Sequence, residues 1–156
     1  VIAAATADAF APAAAASDID LQTNIDRPLP ITGDGFRLRQ VVDNLISNAI
    51  KYTPRGGSVE VMTTAEGDDA VLRVSDTGIG IAADDLERVF VPYFRARSAT
   101  ASGIAGTGLG MSIARQIIEE NAGTISLEST LGTGTTATVR LPLPGSHRPS
   151  TTEVSA

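Results

Sequence analysis

The stretch from Arg39 to Pro54, RQVVDNLISNAIKYTP, constrains the fold most, because it has the period of an amphipathic helix with one unusual face. The apolar face comprises Leu38, Val41, Val42, Leu45, Ile46 and Ala49. The opposite face carries Gln40, Asn44, Asn48 and Lys51. A surface helix normally favours Glu, Lys and Arg over Asn, which is a poorer helix former. We interpret this polar face as a ligand-binding wall; a solvated helix face is the alternative.

The flanking residues delimit this helix and indicate the elements around it. Asp34 is a plausible N-cap, and Pro54 ends the helix near Tyr52–Thr53. A hairpin turn is predicted at Glu66–Asp69. Alternation of polar and apolar residues predicts strands over 18–25, 58–64, 70–75, 124–129 and 135–141. Further helices are expected over 82–90 and 107–121, the second stopped by Gly123.

The order of these elements predicts an α+β fold in which about three helices cover one face of a mixed sheet. We expect one domain over residues 18–142. Residues 1–17 are Ala-rich and are equally compatible with a helix and a linker. Residues 91–106 have no sustained period and predict a functional or disordered loop. Residues 143–156, rich in Pro, Ser and Thr, predict a disordered tail.

Charge and composition exclude several classes of function. The net charge of −6 argues against a general nucleic-acid-binding protein. The chain has no cysteine, which excludes disulfides and thiolate metal sites. No apolar run approaches the roughly 20 residues of a membrane span, and the Ala-rich start lacks the basic segment of a signal peptide.

A second motif, Asp76-Thr77-Gly78-Ile79-Gly80, follows a predicted strand. A carboxylate only accepts hydrogen bonds, so Asp76 suits the amino group of adenine and disfavours the carbonyl of guanine. The glycines would let the backbone approach a flat ligand. A turn closed by the Asp side chain is an equally weighted alternative.

A third motif, Gly106-Thr107-Gly108-Leu109-Gly110, opens a predicted helix. Free N–H groups at a helix N-terminus bind phosphate. The spacing matches neither a dinucleotide-binding fingerprint nor a Walker A loop, so a flexible hinge is the better interpretation of this motif in isolation. Arg95 and Arg97 in the preceding loop could close over phosphates, or could simply be solvated.

Taken in order, these motifs resemble the N, G1 and G2 boxes of histidine-kinase ATP-binding domains, in the superfamily of gyrase, Hsp90 and MutL. FVPYF at Phe90–Phe94 is similar to the F box, and GTGTTATVRLP at Gly132–Pro142 to the last strand. The resemblance covers roughly residues 18–142. It implies a Bergerat-type two-layer α/β sandwich with a mixed, mostly antiparallel sheet and a flexible ATP lid over residues 91–106.

The resemblance also implies site residues and the cofactors ATP and Mg²⁺. Asn44 would ligate Mg²⁺, Asn48 and Lys51 would contact phosphates, and Arg95 is a candidate for the γ-phosphate. Tyr52 would pack on the adenine that Asp76 reads. The full set of implied nucleotide-binding residues is Asn44, Asn48, Lys51, Tyr52, Asp76, Gly78, Gly80, Ile81, Arg95, Gly106, Thr107, Gly108, Leu109, Gly110 and Thr135.

Two departures refine the function. ATPase branches of the superfamily carry a general-base Glu where this chain has Gln40, and an amide cannot take a proton from water. The histidine that accepts phosphate lies in the family's separate helical hairpin, whereas the only histidine here is His147, in the predicted tail. We therefore expect a kinase domain with no catalytic base of its own and slow intrinsic hydrolysis.

The resulting hypothesis is the catalytic domain of a two-component sensor histidine kinase that phosphorylates a histidine on a separate dimerisation domain. Its partners would be that domain and a response regulator, with no nucleic acid, and the isolated domain would be monomeric. Its location would be cytoplasmic, including the cytoplasmic part of a membrane-anchored sensor. An ATPase or serine-kinase module of the same superfamily and a non-catalytic nucleotide-binding module are the alternatives.

Overall fold

The structure, a computed structural model, describes residues 1–146; His147 and most of the predicted tail lie outside this range. The helices are α1 (Ile2–Ala16), α2 (Gly35–Lys51), α3 (Ala83–Leu86), α4 (Arg97–Ala101) and α5 (Gly110–Glu120). The strands are β1 (Asp20–Ile25), β2 (Ser58–Glu66), β3 (Asp69–Asp76), β4 (Thr124–Thr130) and β5 (Gly134–Pro142). None of the helices in this range is both long and apolar enough to span a bilayer.

The five strands form one mixed sheet in the order β1-β2-β3-β5-β4. β1 runs parallel to β2, and every other pair is antiparallel. Val61, Val74 and Ala137 stand in register across β2, β3 and β5. In a strand, every second side chain points to the same face of the sheet. Asp76 and its cross-strand partner Thr135 are each two residues from this row, so they lie on the face that carries it.

Helices α1, α2 and α5 cover that face, which confirms the predicted two-layer α+β architecture. α2 lies centrally, in contact with α1, α5, β2 and β3. The Asp34 carboxylate caps it by accepting hydrogen bonds from the N–H groups of Phe36 (2.9 Å) and Arg37 (3.4 Å). All six residues of its predicted apolar face are buried, and Ile50 is buried with them. The opposite face, with Asn44 and Asn48, is therefore free to line a site.

The structure corrects three predicted element bounds. The helix expected over 82–90 is the single turn α3, and the chain then turns through Tyr93 at a φ of 65°. The helix expected over 107–121 begins at Gly110, because Gly108 has a φ of 75°. At its other end the left-handed residue is Ala122 (φ 58°) rather than Gly123.

Three other segments differ from expectation or resolve an open choice. Residues 1–17 are largely helical, as α1, which settles the choice between helix and linker. The loop predicted over 91–106 contains α4. The start of the predicted disordered tail is ordered, since the N–H of Leu143 donates to the carbonyl of Asp68 at 2.8 Å and residues 143–146 form a turn.

Thr6 of α1 provides a stability prediction. Its side chain is fully buried, and its hydroxyl has no hydrogen-bond partner among residues 1–146. Because an unsatisfied buried hydroxyl costs free energy, Thr6→Val should raise the free energy of unfolding by about 1 kcal/mol and the melting temperature by about 3 °C. Thr53, also buried, donates to the Ala49 carbonyl at 2.6 Å. Thr53→Val should therefore be destabilising in the same calorimetric measurement, and equal effects of the two changes would contradict this account.

Candidate functional site

A cavity of about 420 Å³ lies between the polar face of α2, the helix-facing side of the sheet and the segment that joins β3 to α5. Of the nucleotide-binding residues predicted from sequence, all except Gly78 and Leu109 line it. The fold thus brings residues from four separate motifs to one space.

Asp76 is held at the sheet side of this cavity by two backbone donors. Its Oδ1 accepts hydrogen bonds from the N–H groups of Gly78 (2.8 Å) and Thr135 (3.2 Å). Within residues 1–146, Oδ2 has no hydrogen-bond partner. Burial raises the pKa of the Asp76 carboxyl, although both backbone hydrogen bonds act in the opposite direction. The side chain therefore has a fixed orientation and one oxygen left for a ligand.

The segment after Asp76 forms hydrogen bonds with both the helical layer and the sheet. The N–H of Ile79 donates to the Tyr52 carbonyl at the end of α2 (3.0 Å), and the N–H of Ile81 donates to Ser129 Oγ in β4 (2.8 Å). A Cβ at Gly78 would overlap the Tyr52 carbonyl oxygen. This explains why Gly78 does not line the cavity: it permits the loop to approach α2, rather than facing the ligand space.

Lys51, Arg95 and the Tyr52 hydroxyl converge on Gly106. A Cβ at Gly106 would stand 2.9 Å from Lys51 Nζ and 3.6 Å from both Arg95 Nε and Tyr52 Oη. We call Lys51 and Arg95 the cationic pair. Neither forms a salt bridge in the described part of the chain. Arg95 donates through Nη2 to the carbonyl of Ile104, whereas its buried Nε has no partner among the residues that the structure describes. Two unneutralised cations beside a glycine are suited to an anionic ligand.

Asn44 lies where α2 meets the start of α5. Its Nδ2 donates to the Met111 sulfur at 3.6 Å, and a Cβ at Gly110 would overlap its Oδ1. Amide oxygen is a hard ligand that suits Mg²⁺. No cluster of three His, Cys, Asp or Glu residues capable of holding a metal occurs within residues 1–146. Asn44 Oδ1 is thus an oxygen that could ligate a Mg²⁺ ion at this place.

The predicted lid segment is anchored through α4. The buried carboxylate of Asp85 accepts a hydrogen bond from the Arg97 N–H (2.8 Å) and from its Nε (3.2 Å). The Arg97 N–H, and then its guanidinium, hold the pKa of the Asp85 carboxyl below the ordinary value. Ser98 Oγ donates to the Gly80 carbonyl at 2.9 Å. For Arg97 the sequence leaves two alternatives open, closing over phosphates and solvation; in this structure its guanidinium pairs with Asp85.

A matched pair of glycines tests how the lid is closed. Gly103 and Gly108 have similar positive φ values, 68° and 75°, so alanine is strained at both. A Cβ at Gly108 would also lie 2.6 Å from Tyr93 C and 2.7 Å from Phe94 O. A Cβ at Gly103 would have no other described atom within 4 Å, apart from its chain neighbours. We expect Gly108→Ala to lower nucleotide affinity at least tenfold more than Gly103→Ala, measured by titration calorimetry. Equal affinities would show that the close approach at Gly108 is dispensable.

Gln40 does not line this cavity. It is exposed and borders a neighbouring cavity of about 480 Å³, together with Asn44 and Ser47. Asp76 is the single acidic residue among those that line the first cavity; its Oδ1 accepts from two backbone donors, and its Oδ2 is left for a ligand. Position 40, where an ATPase would carry its base, thus holds an amide, and Asp43, which also lines the neighbouring cavity, is paired with Arg39 at 3.9 Å.

The sequence analysis missed the apolar wall of the cavity. Val74 could have been found, because it precedes Asp76 by two residues and so shares its face of the sheet. Leu127 and Ala137 reach the wall only through strand register, which sequence alone does not supply. The unpredicted lining residues are Leu45, Ser47, Ala49, Val74, Ile79, Val89, Phe94, Ala96, Ser98, Ala99, Met111, Leu127 and Ala137.

Comparison with known families gives one match, over residues 33–145, to the family described as histidine kinase-, DNA gyrase B-, and HSP90-like ATPase. The sensor histidine kinase RcsC of Escherichia coli K12 is 42% identical over 124 residues, which are 80% of this chain and 13% of that protein. The histidine protein kinase DivJ of Caulobacter vibrioides is 49% identical over 117 residues, 74% of this chain and 19% of that protein. The chain thus spans less than a fifth of the length of either relative.

Solved structures agree with this match. The mycobacterial sensor histidine kinase MprB superposes with a TM-score of 0.81 at 26% identity, covering 91% of this chain and 93% of that one. Full-length ShkA in complex with AMPPNP gives a TM-score of 0.79 at 27% identity, covering 95% of this chain and 30% of that one.

Proposed function

The chain belongs to the histidine kinase-, DNA gyrase B- and HSP90-like ATPase family, and from this membership we propose that it is the ATP–Mg²⁺-binding catalytic domain of a two-component sensor histidine kinase. In this proposal it transfers the γ-phosphoryl group of ATP to a histidine on a separate dimerisation domain. One observation carries the proposal: a single cavity combines the half-free carboxylate of Asp76, the Asn44 amide and the unneutralised cationic pair.

The two sides of the cavity suit different parts of ATP. Asp76 Oδ2 would accept a hydrogen bond from the amino group of adenine, against the apolar wall formed by Val74, Leu127 and Ala137. The cationic pair would contact phosphate oxygens, since charge-assisted hydrogen bonds are the strong ones. The Tyr52 hydroxyl stands beside the cationic pair, and the packing of its ring on adenine stays a prediction. The other proposed contacts are Asn48, Gly80, Ile81, Gly106, Thr107, Gly108, Gly110 and Thr135.

Asn44 is the proposed protein ligand of Mg²⁺, through Oδ1. When bound, Mg²⁺ would neutralise phosphate charge and thereby assist phosphoryl transfer. The role of this chain is to offer one neutral oxygen beside the start of α5 and to leave the rest of the coordination shell to phosphates and water.

The proposed reaction requires a nucleophile from another domain. A histidine nitrogen would form a bond to the γ-phosphorus while the bond to the β–γ bridging oxygen breaks and ADP departs. The proton of the imidazole would go to an acceptor on that other domain, because Gln40 is an amide and the two oxygens of Asp76 would be occupied by backbone donors and by adenine. The residues of this chain bind and orient ATP, and they leave water without an activating base.

The test is phosphotransfer in trans. The chain, supplied with Mg²⁺ and γ-labelled ATP, should label a helical-hairpin domain that carries a histidine followed by an acidic residue. The product should be acid-labile, as a phosphohistidine is, and the chain alone should release phosphate slowly. Fast phosphate release by the chain alone would favour the ATPase alternative. ATP binding without any transfer to the cognate hairpin would favour a non-catalytic nucleotide-binding module.

The partners and setting of the parent protein follow from the same proposal. Its relatives are sensor histidine kinases, so we propose a response regulator as the downstream acceptor and the cytoplasm as the working compartment. We propose that residues 18–142 are sufficient for nucleotide binding and that the isolated domain is monomeric. Sedimentation equilibrium would test the last point.

A further inference from the structure

We propose that Met111 is a positioning residue, whose thioether sulfur orients the Asn44 amide so that Oδ1 is presented to Mg²⁺. This inference rests on the proposed function. The two residues are separated by 67 positions in sequence and meet where α2 crosses the first turn of α5. Both line the nucleotide cavity, and their contact is partly buried.

The amide of Asn44 needs an orienting group. An asparagine amide presents an acceptor on one side and two donors on the other, and a rotation by about 180° exchanges them. Within residues 1–146, the hydrogen bond from Nδ2 to the Met111 sulfur is the one contact that distinguishes the two orientations. A thioether is an acceptor without a proton to donate. The sulfur therefore favours the orientation in which Nδ2 faces Met111 and Oδ1 lies on the other side, next to Gly110.

The orientation of the Asn44 amide decides whether an oxygen or a nitrogen lies next to Gly110. Oδ1 occupies the space that a Cβ on residue 110 would take, so the glycine leaves room for the oxygen at this place. If the amide rotated, Nδ2 would occupy this place, and a donor cannot ligate a cation. Met111 also packs against the hydrophobic core, which fixes the sulfur. The side chain thus combines an apolar anchor with an acceptor directed at the proposed metal ligand.

The chain offers matched variants that separate the acceptor from the packing. Met111→Leu keeps a similar volume and removes the acceptor, whereas Met111→Gln keeps an acceptor on a side chain of similar length. Met62, the other methionine of the chain, lies on β2 opposite Arg73 and does not line the cavity. Met62→Leu is therefore the control for a methionine-to-leucine change elsewhere.

The measurement is titration calorimetry of ADP binding by the whole chain, with Mg²⁺ and with EDTA in its place. We expect Met111→Leu to weaken the Mg²⁺-dependent part of ADP binding by about tenfold, the lower end of what loss of an outer-shell partner costs a metal site. ADP affinity in EDTA should be unchanged. Met111→Gln and Met62→Leu should behave like the unmodified chain, and melting temperatures should establish that each variant is folded.

The outcomes distinguish this inference from the proposed function. If the unmodified chain binds ADP more tightly with Mg²⁺ and Met111→Leu does so to the same extent, the positioning role is overturned while the proposed function stands. A packing role alone predicts that Gln is worse than Leu, because it buries an amide, and that order would also overturn the inference. An unmodified chain whose ADP affinity is indifferent to Mg²⁺ would contradict both the inference and the proposed metal site.

Discussion

Asp76→Asn is expected to weaken ATP binding by about a hundredfold and to shift nucleotide preference towards GTP, because it turns an acceptor into a donor at a buried recognition site. Asp76 Oδ1 is occupied by the N–H groups of Gly78 and Thr135. An asparagine must place its own oxygen there to satisfy the same donors. Its Nδ2 would then take the place of Oδ2, facing the amino group of adenine with a second donor.

The same geometry explains the expected change in selectivity. Guanine carries a carbonyl oxygen where adenine carries an amino group, so the Nδ2 of asparagine would be complementary to guanine. Asp68→Asn is the matched control, since it removes the same charge at the exposed turn between β2 and β3, the other end of the strand from Asp76. Calorimetric titration of ATP and GTP against both variants measures the effect. An Asp76→Asn chain that retained ATP affinity and still rejected GTP would show that the backbone, rather than this carboxylate, reads the base.

The parts of the fold that sequence predicted are those with a local signal. The period of α2, its Asp34 cap and the Pro54 stop all identify this helix from sequence, and the structure confirms each of them. Asp76 was placed at the end of a strand by the alternation of the preceding residues. In both cases the determinants lie within a few residues of one another, where periodicity and capping are reliable guides.

The parts that sequence did not predict depend on contacts between distant residues. α4 has a weak helical sequence, RSATA, and its first N–H is capped by Asp85, twelve residues earlier on another element. The sequence around either residue does not predict this contact. The same holds for Arg97, a basic residue of the predicted lid for which the sequence leaves phosphate binding and solvation open, because its partner Asp85 lies on α3. The conformation of residues 91–106, the predicted lid, thus depends on tertiary contacts that override weak local propensity.

A second large effect is expected at Lys51. Lys51→Met should weaken ATP binding by about tenfold to a hundredfold, the range for loss of a charge-assisted hydrogen bond, and should leave adenosine binding unchanged. Lys51 Nζ lies beside Gly106 with no carboxylate partner in the described part of the chain, so a phosphate would be its first counterion. Lys51 is a cleaner probe than Arg95, because Arg95 also donates to the Ile104 carbonyl within the lid.

Lys51 is the only lysine of the chain, which allows a direct test of the unmodified protein. An amine-reactive acylating reagent can modify only this side chain and the N-terminal amine, and mass spectrometry separates the two. ATP should protect Lys51 from acylation, whereas adenosine, which lacks phosphates, should not.

Arg55→Met is the control for Lys51→Met: it removes one exposed charge just beyond α2 and should leave ATP affinity intact. Loss of adenosine binding in Lys51→Met would assign Lys51 instead to the base pocket, where its Nζ lies 5.2 Å from the centre of the Tyr52 ring. Protection by ATP combined with unchanged adenosine affinity would place Lys51 on the phosphates alone, because adenosine contains every part of ATP except them.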